Sequence, residues 1–123
     1  MIELLDDMPD GTFGFRVSGR IERADYTDVL EPALQAAVRQ SARLRSLYVV
    51  DRLERMDAGA LWEDAKTGFD LSVAHRAAWE RTAIVTDQDW VAEGARLFAW
   101  MVPGEFKVFP AAELGDAKNW VAG

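Results

Sequence analysis

Two carboxylates stand where buried strands are expected to end, Asp51 after "LRSLYVV" and Asp87 after "RTAIVT". Acidic groups at the carboxyl edge of neighbouring parallel strands could hold Mg²⁺, a hard cation that takes oxygen ligands. The competing role is structural, because an Asp that opens a turn or helix accepts hydrogen bonds from free backbone N–H groups. Asp57, Asp87 and Asp89 all precede expected helices, where a negative charge also suits the helix dipole. No nearby Lys–Ser/Thr pattern completes a phosphoryl-transfer site. Capping is the stronger reading, and no residue is assigned as a metal ligand.

His75 is the only histidine, and Ser72 lies three residues before it, on the same face of a continuous helix. A nucleophile–base pair also needs an orienting group and an oxyanion hole, and no G-x-S-x-G elbow occurs in the chain. A lone histidine cannot build a multi-histidine zinc site. With no cysteine there is no thiolate nucleophile, disulfide or cysteine-bound metal. Gly11, Gly14 and Gly19 fall within a hairpin and its strand, so neither a P-loop nor a dinucleotide fingerprint fits. Nothing here compels an enzyme or calls for a cofactor. Were catalysis present, Asp51, Asp87 and His75 are the groups to test.

The aromatic load is more informative. Five tryptophans occur, at 62, 79, 90, 100 and 120, and 11% of residues are aromatic. Trp62 and Phe69 are seven residues apart and share a helical face. Further on, Trp90, Gly94, Leu97, Phe98 and Met101 form an apolar stripe that Val91, Ala95 and Val102 widen. Ordinary core, a surface for a partner or a second copy, and the wall of an apolar pocket all use such groups. Trp62, Phe69, His75, Trp90 and Phe98 are the candidate ligand or partner surface. The mixed-sign run "DRLERMD" reads as a solvated loop. Arg52 and Arg55 could receive an anion there, although pairing with Glu54, Asp57 or Glu63 is the plainer role.

These groups must be positioned by a small domain. The chain has 123 residues, enough for one core, and is 50% hydrophobic and 28% charged. Its formal net charge of −7 opposes phosphate backbones and anionic headgroups, so nucleic acid and membrane surfaces are poor partners. The start "MIELLDDMPDG" does not read as a signal peptide, and no apolar run approaches the roughly 20 residues that span a bilayer. A cytoplasmic protein is expected.

"MIELLDD" and "TFGFRVSG" predict two strands joined by the turn Pro9-Asp10-Gly11, with Phe13, Phe15 and Val17 alternating onto one buried face. A helix is predicted from about Asp25 to Leu44, with Pro32 in a first turn or at a kink. "LRSLYVVD" and "RTAIVTD" read as strands buried on both faces. Helices are predicted over about 58–78, over 88–101 and in "ELGDAKNWV", with "EFKVFP" a short strand. The order β-β-α-β-α-β-α-β-α predicts a mostly parallel sheet with one antiparallel strand from the hairpin.

With "GRIERADYTDVLEPAL", "LYVVD" followed by "LWEDAKTGFDL", "HRAAWERTAIVTDQDW" and "FKVFPAAELGDAKNWV" in this order, the chain resembles the SpoIIAA-like family, a branch of the STAS fold. STAS denotes the sulfate transporter and anti-sigma-factor antagonist domains. Regulatory members carry an Asp-Ser-Ser-Gly-type motif after the third strand, whose serine is phosphorylated to switch binding to an anti-sigma partner. Here the corresponding stretch looks like "MDAGAL": Asp57 and Gly59 match, and Ala58 stands where the hydroxyl would be. No Ser or Thr occurs between Asp51 and Lys66 in any register. The resemblance therefore implies a switch loop without its switch.

The expectation is an α/β fold, a single STAS-like domain over residues 1–123 with a mixed sheet of about five strands, an N-terminal β-hairpin and helices packed on the sheet. Its expected role is non-catalytic: a protein-interaction or regulatory module lacking the phosphorylatable serine. The alternative is binding or carrying a small apolar, lipid-like ligand in a pocket lined by the helix aromatics. The partner is an unidentified protein or such a ligand, and a homodimer is among the open assemblies.

Overall fold

Alternation decides the strands. Phe13, Phe15 and Val17 project to one side of a strand, and Gly14, Arg16 and Ser18 to the other. Phe15 is completely buried and Val17 nearly so. A computed structural model of the chain describes residues 1–40, 43–54, 79–101 and 104–123, and the strands among them form one five-stranded sheet. These are β1 (Ile2–Leu5), β2 (Phe13–Gly19), β3 (Leu44–Leu53), β4 (Trp79–Thr86) and β5 (Glu105–Phe109). They lie side by side in sequence order. β1 runs antiparallel to β2, and every other pairing is parallel. The expected mixed sheet with an opening hairpin is what forms.

Three helices of nine or ten residues are described: α1 (Glu31–Gln40), α2 (Asp89–Phe98) and α3 (Leu114–Ala122). Consecutive parallel strands joined by right-handed crossovers place their connecting helices on the same side of a sheet. Accordingly Val29, Leu30, Ala33 and Ala37 from the β2–β3 connection pack on the face carrying Phe15, Val17, Leu44 and Val50, together with Trp90 and Val91 of α2. The opposite face, with Leu47, Val49, Ala83, Val85 and Phe109, receives Ala117 and Val121 of α3. Arg45 and Arg81 donate to the carbonyls of Val121 and Trp120, so two guanidinium groups meet the free carbonyl end of α3.

Several boundaries differ from the expectation; Leu44, expected to end the first helix, instead opens β3, and β4 begins at Trp79. The first helix starts at Arg23 rather than Asp25 and passes through a π-helical turn, Tyr26–Leu30, before α1. Pro32 follows two residues past the π turn, within the continuous helical run, and lacks the N–H that would extend its ladder. β3 does not give way to a loop after Asp51 but runs on to Leu53, which is buried. Gln88 holds it there: its Nε2 donates to the Leu53 carbonyl at 3.0 Å and its Oε1 accepts from the Leu53 N–H at 2.8 Å. Arg52, at φ 53°, takes the left-handed backbone that this irregular end of the strand demands. β1 stops at Leu5, before the acidic pair Asp6-Asp7.

Candidate functional site

On β3 the even-numbered residues Leu44, Ser46, Tyr48 and Val50 face α1 and α2, while Leu47 and Val49 face α3. On β4 the same alternation brings Thr82, Ile84 and Thr86 to the α1/α2 side. Parallel register sets Ser46 directly beside Thr82, and Tyr48 beside both Ile84 and Phe15. Ser46 is fully buried and Thr82 is 4% exposed. Three hydroxyl groups therefore gather at the middle of the sheet beneath the helices: Ser46 Oγ, Tyr48 OH and Thr82 Oγ1. All three are buried, and none makes a hydrogen bond of standard geometry to a described residue, although the Ser46 hydroxyl lies close enough to act on the Tyr48 phenol.

Aromatic rings surround them. Phe15 stacks on Tyr48 with ring centroids 5.7 Å apart and planes 18° from parallel, and Phe13 meets Phe15 edge-on at 5.7 Å. Trp79, which opens β4, is buried in the same cluster. Burial pushes the Tyr48 phenol up from 10.0 to about 12, and the Ser46 hydroxyl nearby offsets only part of that rise. The medium around Tyr48 thus opposes negative charge. Among the described residues, those buried on this face are all uncharged.

Such a trio is costly in an empty apolar setting. A buried hydroxyl left without a partner costs about 1–3 kcal/mol, and buried polar groups in proteins are as a rule satisfied. A hydroxyl both donates and accepts, so three together suit a polar group that does the same. The chemistry the arrangement can perform is hydrogen bonding in a dry, aromatic environment. Thr86, four residues beyond Thr82 on β4, serves a structural role by accepting from the Gln88 N–H.

The carboxylates suggested by the sequence go elsewhere. Asp51 lies 3.9 Å from Arg16, both largely exposed, and Asp87 accepts from the Ala111 N–H at 2.9 Å, tying β4 to the turn before α3. Asp89 opens α2. Among the described residues no group of three His, Asp or Glu side chains could hold a metal ion. The apolar stripe of α2 also divides. Val91 is buried and Trp90 half-buried against the core, whereas Leu97 is 66% exposed and Trp100, just beyond the helix, 78% exposed. Phe98 ends α2, and its side chain lies outside the described residues, as do Trp62, Phe69, His75 and the stretch Asp57, Ala58, Gly59.

The hydroxyl trio escaped the sequence reading because Ser46, Tyr48 and Thr82 each look like ordinary strand residues. The signal was there at period two: serine and tyrosine two apart in one apolar run, and a threonine in the next.

The strand order, the hairpin and the two-faced helix packing agree with a family-level match. The model of the SpoIIAA-like family matches residues 12–122. The chain belongs to the SpoIIAA-like family. A crystal structure at 2.25 Å of an uncharacterised protein of the DUF3478 family with a SpoIIAA-like fold, from Shewanella loihica PV-4, is similar to this SpoIIAA-like chain throughout. The two are 25% identical, the likeness covers 98% of this chain and 92% of the other, and the TM-score is 0.67. A comparison with functionally curated proteins gives no match. Among the described residues no helix of this SpoIIAA-like protein is long and apolar enough to cross a membrane.

Proposed function

We propose that the chain is a non-catalytic binding module that holds a small amphipathic molecule on the helix-covered face of its sheet. One observation carries this reading: Ser46, Tyr48 and Thr82 present buried hydroxyls that make no hydrogen bond of standard geometry to the described residues, within a field of aromatic rings. A core selected for packing alone would place apolar side chains there. A ligand with a polar group and an apolar body satisfies both features at once. Native mass spectrometry of protein purified gently from its own cells tests it. A reproducible adduct of small-molecule mass is expected, and a bare chain across repeated preparations contradicts the reading.

A second role, protein interaction without a phosphoswitch, is supported by the outward side of α2. Asp89, Glu93, Arg96, Leu97 and Trp100 are exposed there at helical spacing, which sets two large apolar groups among charges. Aromatic side chains of this kind anchor protein interfaces. A partner cross-linked to the wild type and lost from Trp100→Ser, with the fold intact by circular dichroism, supports this role. Retention of the partner by that variant counts against it.

A further inference from the structure

We infer that Ser46, Tyr48 and Thr82 form a head-group site selective for an uncharged alcohol or carbonyl over an ionised carboxylate or phosphate. The inference rests on the ligand-binding role proposed above and gives it a chemistry. Ser46 and Thr82 sit in register on adjacent central strands, and Tyr48 follows on the same face two residues later. Each hydroxyl can donate to a carbonyl oxygen, and each can also accept from an alcohol proton.

Charge decides the selectivity. An anionic head loses its hydration on entering such a site and needs a cation or a dense set of donors in return. Arg45 and Arg81 point to the other side of the sheet, where they bind the carbonyl end of α3, Glu80 and Glu105. Lys118 is engaged with Asp7 at 2.8 Å, next to that same opposite face. The medium that holds the Tyr48 phenol protonated up to about 12 would likewise hold a carboxylic acid in its neutral form. An aliphatic tail then has Phe15, Leu44 and Trp79 beside it.

The test compares 1-decanol with decanoate, probes that share the length of their carbon chain, at about pH 8, where the free acid is fully ionised. Thermal melting of the purified chain reads binding, because a ligand held only by the native state raises the midpoint in a saturable way. Decanol is expected to bind about tenfold or more tightly than decanoate, and S46A/T82V to lose about tenfold in decanol affinity. Both substitutions remove hydroxyls that make no standard hydrogen bond to the described residues and leave nearly the same volume, so the variant folds. Y48F, changed at one atom, gives an independent reading and is expected to weaken decanol in the same direction. Equal binding of the two probes, or tighter binding of decanoate, overturns the selectivity while the carrier role stands. Undiminished decanol binding by both S46A/T82V and Y48F overturns the site itself, again leaving the carrier role. If neither probe binds the wild type saturably, both the site and the carrier role fall.

Discussion

Ser46 and Thr82 face each other across the β3–β4 ladder, both buried, and neither hydroxyl makes a hydrogen bond of standard geometry to a described residue. Two polar groups so placed weaken the folded state relative to apolar residues of like shape, since water satisfies them when the chain unfolds. Urea denaturation of ligand-free S46A/T82V should give an unfolding free energy equal to the wild type or higher by about 1 kcal/mol. A loss of more than about 1 kcal/mol would mean that the hydroxyls stabilise the fold rather than wait for a ligand.

The Gln88 clasp offers an opposite case. Its amide makes both a donor and an acceptor contact with the Leu53 backbone, joining the carboxyl ends of β3 and β4 where no ladder continues. Gln88→Ala leaves the N–H and C=O of buried Leu53 without these partners and is expected to cost about 1–3 kcal/mol. Hydrogen exchange at Leu53 should quicken more than exchange at Leu47.

Asp25 ties the β2–β3 connection to the edge of the sheet. Its carboxylate accepts from the Ile2 N–H at 3.1 Å and the Glu22 N–H at 2.8 Å. Burial alone would raise its pKa, but these amides and the terminal ammonium of Met1 together outweigh burial and hold it below 3.8. A group depressed on folding adds stability that is present above its unfolded value and lost as pH falls through its folded one. The gap in unfolding free energy between wild type and Asp25→Asn should therefore be widest near neutrality and close progressively below pH 3.8. A gap that stays constant between neutral and strongly acid pH would remove Asp25 from the acid response.

Gly104 enters β5 at φ 81°, passing so close to the start of β4 that a Cβ would lie 2.6 Å from the Trp79 carbonyl oxygen and 2.7 Å from that of Glu80. Backbone carbonyls of a paired strand cannot step aside. Gly104→Ala should cost about 2 kcal/mol or more, combining left-handed strain with that contact. Gly11→Ala serves as the control, since its φ of 79° carries the same strain and nothing lies within 4 Å. Thermal melting separates the two.

Much of this architecture was legible in the chain because burial writes a period into it. Phe13, Phe15 and Val17 reveal a strand with one core face, and the apolar runs at β3 and β4 reveal strands covered on both sides. What stayed hidden depends on contacts between distant residues. The extra length of β3 follows from a glutamine 35 positions away. The π turn ahead of Pro32 is a local change of winding that propensity alone does not locate. The hydroxyl site appears only once strand register sets Ser46 beside Thr82. Leu97, part of the apolar stripe whose role the sequence left open, faces outward because α2 buries only the narrower strip that includes Trp90 and Val91.

The most direct measurement is native mass spectrometry of wild-type protein and S46A/T82V, expressed and purified side by side from the native cells. The account predicts a small-molecule adduct on the wild type and its loss, or a large fall in its occupancy, on the variant. The same adduct at the same occupancy on both proteins, or none on either, would contradict it.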